Sequence, residues 1–485
     1  MEFDFFSNFS TEQKKRYNSM LVTNFILLMC DVWPFLERDE LERDRLSFSW
    51  IHSIKPTLEM FGLDRNSYPQ GSLSANRFHY EFLRTYLGKR FYEDDDIFNI
   101  REGLKNFITL RQDDSGVKKS FLFGSYFEIT KRSGSLDQHY IRDIHVSLRH
   151  SAAALWIMFE ESDKEFSSPL KESLNAFLDN VESYLNMDEW QNEKFRHLTL
   201  SSIISSCMSV LRKCIDKNLK KRVASIFDLC KKTLFSVSFL TQNLDGSYKW
   251  IILENEKNNF SQYEYYFNLF VITQVPELIE MSETQSIIRR MIQNKVECEI
   301  GKGIPVKDKM CVIDEKEILP DFGITSSVLY LLYYSLTNNI GGEEWLKYCK
   351  SNFNWLLDFC LNAFDKRKFY IIPHSESNAR VLLLPHKGLS DLRYKEIKRY
   401  ISEIKKAIYF EMKDKKGKLP TLLKKIQLPD DIKHGRELIL NWKISEYCEE
   451  RHWSFIEKIS RSIDFGTVGE FWGGFIIGAL RAGSG

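Results

Sequence analysis

Apolar residues recur at three- and four-residue steps along much of this chain. In the clearest stretch, 143–159, they mark one face of a single helix, formed by Ile144, Leu148, Ala152, Leu155 and Phe159. The same periodicity predicts a core helix over 21–36 and further helices over 170–184, 198–215, 219–240, 263–281, 325–336 and 345–364. The pattern therefore predicts an all-α fold.

Connectors between the predicted helices are long and polar. The clearest, over 116–140, 246–262 and 301–322, are rich in Gly, Asp, Asn, Ser and Lys. Helix, turn glycine, irregular connector and second helix recur at roughly 60 residues, near the upper end for helical repeats. Because a helical hairpin buries its apolar face only against its neighbours, this spacing favours an array that stacks or closes into an α/α toroid.

Two predicted helix ends share a short pattern of glutamine and turn glycine. Residues 112–116 (QDDSG) follow the apolar run 107–110, and residues 242–246 (QNLDG) follow the apolar run 237–240. The repetition supports an array of similar hairpins, each with a glycine turn after its first helix.

The second copy, extended to Tyr248, resembles the QW motif (Q-x3-G-x-W) of the terpene cyclase and prenyltransferase toroid superfamily, with tyrosine where tryptophan is usual. The first copy is a half match, with Lys118 at the aromatic position. The segments 149–155 and 323–329 resemble inner helices of that superfamily. The resemblance covers about 104–336 and implies an α/α toroid or an incomplete toroid.

We expect three regions: an N-terminal helical region over 1–100, the toroid domain over 101–385 and a basic C-terminal helical module over 386–485. Between 387 and 425, thirteen Lys or Arg stand against five Asp or Glu. A solvated helix pair with a lysine-rich loop accounts for this excess. The alternative is a patch for nucleic-acid phosphates or an acidic partner. Its densest part is formed by Lys413, Lys415, Lys416 and Lys418.

Composition and cysteine content narrow the class of protein. The 485 residues are 43% hydrophobic and 28% charged, as in helix-rich globular proteins. The net charge of +1 provides no overall field for nucleic acid, so electrostatic recognition must be local. Nine scattered cysteines without a CxxC pair favour buried free thiols and a cytoplasmic protein. The acidic N-terminus is unlike a signal peptide, and the apolar run 21–36 is too short to span a membrane.

The acid and metal motifs of the resembled superfamily are incomplete here. Its protonating cyclases use a DxDD motif, whereas residues 93–96 read EDDD, for which an acidic turn or helix start is the simpler interpretation. Residues 95–99 resemble a DDxxN magnesium motif without its N-D-x-x-S-x-x-x-E partner. Cys349, Cys360 and His374 lack the D-x-C spacing of the zinc-binding prenyltransferases. We therefore expect no metal or other cofactor.

The densest polar cluster begins the clearest predicted helix. Arg142, His145 and Arg149 share one helix face, and Asp143 and His150 lie beside them. Two forked arginine side chains and a histidine at the mouth of a toroid predict a ligand-binding surface for an anion. The alternative is structural: Arg142 and Asp143 pair with neighbours, and the histidines bond buried carbonyl groups.

The sequence contains no nucleophile elbow, HExxH motif or P-loop. We therefore predict a non-catalytic toroid protein that binds a ligand or a protein partner, and from the resemblance we expect a component of a bacterial stress or defence system. The alternative is an isoprenoid cyclase or prenyltransferase-like enzyme, which a toroid would also suit. Fold alone does not decide between them, because one scaffold hosts many activities.

Overall fold

The computed structural model is mostly helical, and helices make up 76% of the residues that it describes. It describes residues 7, 9–36, 73–98, 101–102, 105, 144–162, 166–187, 196–251, 268–269, 271–298, 300–305, 320, 322–365, 380–386 and 388–414. The predicted all-α class is confirmed.

The helices and strands follow one another in a simple order. In chain order the helices are α1 (Thr11–Leu36), α2 (Leu73–Leu87), α3 (Arg90–Glu93), α4 (Ile144–Glu161), α5 (Ser168–Leu185), α6 (Arg196–Lys213), α7 (Lys217–Leu234), α8 (Pro276–Glu280), α9 (Ser282–Gln293), α10 (Phe322–Asn338), α11 (Glu343–Asp365) and α12 (Asp391–Asp414), with a 3₁₀ helix at Arg380–Leu383. Two antiparallel strand pairs are formed by β1 (Leu240–Gln242) with β2 (Tyr248–Trp250) and by β3 (Val296–Cys298) with β4 (Gly301–Gly303).

Most of the helices predicted from periodicity are present. Those expected over 143–159, 170–184, 198–215, 325–336 and 345–364 correspond to α4, α5, α6, α10 and α11, and the core helix over 21–36 lies within α1. The match is close because these helices bury an apolar face, which is the feature that the periodicity detects.

Two of the predicted helices differ from those in the structure: one is shorter than predicted and the other is interrupted. The helix expected over 219–240 stops at Leu234, because the chain turns and the Ser236 carbonyl accepts hydrogen bonds from the N–H groups of Phe239 and Leu240. In the described part of the segment 263–281, helical structure is interrupted at Val275. The next residue is Pro276, which has no N–H to continue the hydrogen-bond ladder.

Helices α4, α6 and α10 form the centre of the core. Many of their buried positions carry small residues, with alanines at 152–154 and serines along α6 and α10. Small side chains let backbones approach closely, and the Ser206 hydroxyl on α6 donates a hydrogen bond to the Ala152 carbonyl on α4. Ser335 Oγ on α10 donates to the carbonyl of Leu331 (3.0 Å), so these buried hydroxyls are paired.

Helices α5, α7 and α11 pack against α4, α6 and α10, respectively, and form helical hairpins with them. In α7 the buried side chains recur at three- and four-residue steps, whereas the remaining positions are largely charged. This spacing places one apolar stripe against the core. The chain thus alternates a fully buried helix with a half-buried one.

Helices α4 and α6 run in the same direction. Ser206 meets Ala152 in the middle of both helices, and Lys213 Nζ at the end of α6 donates to the carbonyl of Glu160 near the end of α4 (2.6 Å). Both helices therefore end on the same side of the molecule, where each turns back into its outer partner.

The later turns from inner to outer helices lie on the same side. Arg212 Nη2 donates to the carbonyl of Gln274 (3.1 Å), and Gln285 Nε2 lies 3.1 Å from the carbonyl oxygens of Ile279 and Gly341. These bonds connect the end of α6, the start of α8 and the turn between α10 and α11. We call this side, defined by Arg212, Gln274, Ile279 and Gly341, the rim.

The first helices connect the two ends of the array. Helix α1 packs against α2, α11 and α12, while α2 packs against α4 and the 3₁₀ helix, which in turn contacts α10. The Tyr17 hydroxyl lies within hydrogen-bond distance of the carbonyl oxygens of Val381 (3.1 Å) and Leu384 (2.6 Å). Residues from the start of the chain thus fix the segment that follows α11.

The QW-like segment forms a β-hairpin rather than the predicted helix end. Gln242 pairs with Tyr248 across strands β1 and β2, and Gln242 Nε2 donates to the carbonyl of Gly246 (3.1 Å). Gly246 has a φ of +80°, a conformation that favours glycine. The segment therefore forms a turn that joins two short strands. The other copy, 112–116, lies outside the described residues.

Within the described residues, no helix is both long and apolar enough to cross a membrane. The described cysteines are free thiols and all but Cys298 are buried, as predicted from their scatter in the sequence; they are Cys207, Cys214, Cys230, Cys298, Cys349 and Cys360.

Candidate functional site

A buried ionic cluster lies where α2, α6 and the 3₁₀ helix meet. Arg380 Nη1 donates a hydrogen bond to Glu81 Oε2 (3.1 Å), and Arg77 Nη2 lies 3.9 Å from the other oxygen of Glu81. The three side chains are 5%, 10% and 8% exposed, respectively. Arg77 also donates to Ser205 Oγ, which donates to Gln274 Oε1 (2.6 Å). We call Arg77, Glu81, Ser205, Gln274 and Arg380 the central cluster.

Local structure fixes each member of the central cluster. Arg77 and Glu81 are four residues apart on α2 and therefore share a helix face. Arg380 begins the 3₁₀ helix, whose next N–H group, that of Val381, donates to Ser326 Oγ on α10 (2.7 Å). Two elements that are far apart in sequence thus hold the two arginines in one place.

Burial sets the electrostatics of the central cluster. Burial lowers the pKa of Arg77 to about 10, and the nearby charge of Glu81 opposes this shift. Burial likewise lowers the pKa of Arg380 from its ordinary value. At neutral pH Arg77 is still cationic, and its guanidinium carbon lies 4.4 Å from the ring centre of Trp156, within range of a cation–π interaction.

A second group of charges lies nearer the rim, at the end of α4. Arg84 Nη1 on α2 donates to Glu160 Oε2 (2.5 Å), Ser209 Oγ donates to Glu160 Oε1 (2.5 Å), and Lys213 Nζ is 3.7 Å from Glu160 Oε2. Burial raises the pKa of Glu160, but Arg84, Ser209 and Lys213 outweigh burial and hold that pKa below its ordinary value. Glu160 is therefore ionised at neutral pH.

The neighbouring Glu161 is held in the same way. Arg101 donates from Nε and Nη2 to its two oxygens (2.9 and 2.6 Å), and Tyr80 donates from its hydroxyl. Burial raises the pKa of Glu161, yet the bonds from Arg101 and Tyr80 together lower it below its ordinary value. A carboxylate that is stabilised as an anion is a poor proton donor at neutral pH.

In each of these clusters, an arginine side chain holds a carboxylate of the chain itself. Each guanidinium group presents a rigid fork of N–H donors that matches a carboxylate or a phosphate. In the central cluster, two such forks converge beside a hydroxyl, a carboxamide and an aromatic ring. Within the described residues, no group of three or more His, Cys, Asp or Glu side chains is placed to hold a metal ion.

The structure describes only part of the stripe predicted from sequence. Arg142 and Asp143 lie outside the described residues, whereas His145, Arg149 and His150 lie in the first turns of α4, without described side chains. Residue 149 is seven positions before Trp156, two helical turns or about 10 Å along the axis, and so lies on the same face of α4. The stripe stays a prediction.

The predicted basic patch is also covered only in part. Lys413 lies in the last turn of α12, and Lys415, Lys416 and Lys418 lie outside the described residues. The described half of α12 carries a different contact, in which Lys398 Nζ lies 3.1 Å from an oxygen of Asp94 and 2.6 Å from one of Asp96.

That contact gives the acidic run 93–96 a structural role. Asp94 Oδ1 accepts hydrogen bonds from the N–H groups of Asp96 (3.1 Å) and Ile97 (3.3 Å), which caps the helical turn that follows. Burial raises the pKa of Asp94, but hydrogen bonds from Lys398 and Tyr394 outweigh burial and keep the pKa low. The interpretation as an acidic helix start agrees with this geometry.

A separate buried chain of polar groups surrounds His197 at the start of α6. Ser201 Oγ donates to Asn268 Oδ1 (2.7 Å), Asn268 Nδ2 donates to His197 Nδ1 (2.9 Å), and His197 Nε2 donates to the carbonyl of Ile251 (3.0 Å). Burial lowers the pKa of His197 to about 3, so the ring is neutral. Both ring nitrogens are occupied, which makes this histidine structural.

Sequence reasoning did not single out the central cluster. Arg77, Glu81 and Arg84 recur at three- and four-residue steps on α2, the same signal that pointed to Arg142 and Arg149. They precede 101–385, the region in which the sequence predicts the toroid and its ligand-binding surface. Arg380 carries no comparable local signal, because its partner lies 299 positions away.

Comparison of the chain with protein-family models, with curated proteins and with solved structures finds no match in any of the three.

Proposed function

We propose that this chain is a non-catalytic binding protein that holds an anionic group of a ligand or partner, a carboxylate or a phosphate, at the central cluster. The observation that carries the proposal is the convergence of Arg77 and Arg380, both almost fully buried, on the single carboxylate of Glu81. Such paired guanidinium groups are the usual means by which proteins recognise carboxylates and phosphates.

The energetics of burial support a role beyond stability. Moving a charged group out of water costs several kcal/mol, and well-packed apolar residues often serve the stability of a core as well as a buried ion pair does. The lowered pKa of Arg77 reflects this cost. A core that nevertheless contains Arg77, Glu81 and Arg380 is better explained by recognition of an anion than by packing.

We further propose that the helical hairpins close into an α/α toroid, or an incomplete one, with the central cluster on its inner side. In support, fully buried helices alternate with half-buried ones, and α4 and α6 run in the same direction. The pair Glu81 and Arg380 would join the first and last parts of such a ring. The inner side is where toroid proteins bind ligands, as the sequence resemblance implies.

The stripe predicted on α4 would extend the same binding surface. Arg149 occupies the same helix face as Trp156, above which Arg77 lies. A ligand longer than a single anionic group would, in this proposal, also use the predicted stripe of Arg142, His145 and Arg149. The partner in this proposal is a protein or an anionic ligand, and nucleic acid would bind only at the basic region 387–425.

Native mass spectrometry of the full-length chain tests the proposal. We expect the wild-type protein to carry an added anion, either as purified or after incubation with inorganic phosphate, pyrophosphate or citrate. Arg77→Lys combined with Arg380→Lys keeps both charges but removes the forked donors, and should lose the added mass. The matched control is Arg222→Lys, a surface arginine paired with Asp179 and Glu182. A wild-type chain that carries none of these anions would contradict the proposal.

The contribution of the α4 stripe can be measured separately. Arg142→Ala with Arg149→Ala should leave the thermal midpoint nearly unchanged and weaken capture of the bound ligand or partner in a pull-down analysed by mass spectrometry. A large loss of stability would mean that these arginines are structural instead.

The alternative, an isoprenoid cyclase or prenyltransferase-like enzyme, has less support. Within the acidic run 93–96, Asp94 caps the following helical turn, and Asp94 and Asp96 both pair with Lys398, so two of its carboxylates are engaged in structural contacts. Incubation of the protein with prenyl diphosphates and magnesium, followed for hydrocarbon or pyrophosphate, tests this alternative. Sustained turnover would overturn the non-catalytic proposal.

A further inference from the structure

The rim carries an exposed basic surface at the turn between α6 and α7. We call it the basic sector, and it consists of Arg212, Lys217, Lys220 and Lys221. None of the described carboxylates forms an ion pair with the three lysines. Cations at the start of a helix oppose its dipole, so these lysines do not serve the stability of α7. Ile215, which lies between Arg212 and Lys217 in the sequence, is 60% exposed and adds an apolar side chain to this surface.

The rim also carries an acidic surface. We call it the acidic sector, and it consists of Glu277, Glu280, Glu283, Glu343 and Glu344, which lie in α8 and at the starts of α9 and α11. The sequence has no Lys or Arg over 275–288 or over 339–346. Among the described cations, Arg289 lies 3.4 Å from Glu344, which is itself 92% exposed. The negative charge of this sector therefore faces solvent.

Hydrogen bonds connect the two sectors along the rim. Arg212 donates to the carbonyl of Gln274, three residues before Glu277. Gln285 Nε2 then connects the carbonyls of Ile279 and Gly341, and Gly341 lies two residues before Glu343. The basic and acidic sectors are therefore neighbours on one side of the molecule.

We propose that the rim is a self-association surface on which the basic sector of one copy binds the acidic sector of a second copy. If the two copies are related by a twofold axis, both sectors are paired at once, because such an interface uses the same patch on each subunit. A net charge of +1 opposes the approach of two copies only weakly. Nucleic acid fits this side less well, since the adjoining acidic sector would repel its phosphates.

Sedimentation velocity of the full-length chain tests this proposal, independently of any ligand at the central cluster. We expect a dimer at low ionic strength and dissociation as salt screens the charges. Lys217→Glu with Lys220→Glu and Lys221→Glu should weaken association by about tenfold or more, and so should Glu277→Lys with Glu280→Lys and Glu283→Lys. An equimolar mixture of the two triple variants should associate again, because the rim of one variant is then negatively charged and the rim of the other is positively charged.

A control with the same change of charge is Lys232→Glu with Lys249→Glu and Lys302→Glu, exposed lysines outside the rim, and it should leave association unchanged. A wild-type chain that is monomeric at low salt and micromolar concentration would overturn the proposal. So would a dimer that neither rim variant weakens. A monomer that binds a single-stranded oligonucleotide, with binding lost in the basic-sector variant, would assign the lysines to nucleic acid instead.

Discussion

Arg380 Nη1 donates a 3.1 Å hydrogen bond to Glu81 Oε2, a residue 299 positions earlier in the chain, and neither side chain is more than 10% exposed. Removing the arginine leaves a carboxylate buried with reduced compensation. We predict that Arg380→Met lowers the free energy of unfolding by about 3 kcal/mol, measured by urea denaturation. Arg222→Met, which removes a surface ion pair, should cost less than about 1 kcal/mol. Equal losses would show that the central pair behaves as a surface contact.

His197 predicts a specific dependence of stability on pH. Its pKa is about 3 in the folded protein and near 6.5 in an unfolded chain, so only the unfolded chain takes up a proton between these values. Stability should therefore fall as pH falls below 6.5, by about 1.4 kcal/mol for each pH unit. His197→Gln removes this contribution, and urea denaturation of both proteins between pH 7 and pH 5 measures the difference. Parallel pH profiles would contradict the buried, neutral histidine.

The acidic run 93–96 contains two adjacent aspartates whose substitutions can be compared, one with structural contacts and one exposed to solvent. Asp94→Ala removes both the helix cap and the ion pair with Lys398, and should cost about 1–2 kcal/mol. Hydrogen exchange should also become faster in α12, because Lys398 on that helix would keep its contact with Asp96 but lose the one with Asp94. Asp95 is exposed, and Asp95→Ala should change stability by less than about 0.5 kcal/mol. If Asp95→Ala were the more damaging change, the structural role assigned to Asp94 would be wrong.

The turn between α10 and α11 contains two glycines with different surroundings. A Cβ atom on Gly341 would lie 2.3 Å from Cδ1 of the buried Trp345, whereas one on Gly342 would meet no atom within 4 Å. Both residues have positive φ, so both Ala variants are strained by the backbone. Gly341→Ala should therefore lower the thermal midpoint clearly more than Gly342→Ala. The reverse order would mean that backbone strain outweighs the clash.

The positions of most helices could be predicted from the sequence, but contacts between distant segments could not. The apolar steps that begin at Ile144 predicted α4, because a helix that packs on one face repeats its apolar residues at helical spacing. Arg380 and Glu81 meet only after the chain has folded, and no local pattern relates the two positions.

The β-hairpin at Gln242 shows a different limit of sequence reasoning. Its glutamine and glycine resemble the end of a helix in the toroid superfamily, but the bonds among Asn243, Asp245 and Ser247 form a tight turn between strands. Hydrogen bonds within a few residues therefore determine the local structure here, although the apolar pattern of the preceding run predicted a helix.

The central claim is that Arg77 and Arg380 hold an anion, and the thermal midpoint of the full-length chain across a series of anions tests it most directly. With inorganic phosphate, pyrophosphate or citrate, the wild-type midpoint should rise by at least about 2 °C above that in sodium chloride of equal ionic strength. Arg77→Lys and Arg380→Lys should each lose most of this shift, and Arg222→Lys should keep it. Equal midpoints in all the salts, or shifts that survive both cluster variants, would contradict the account.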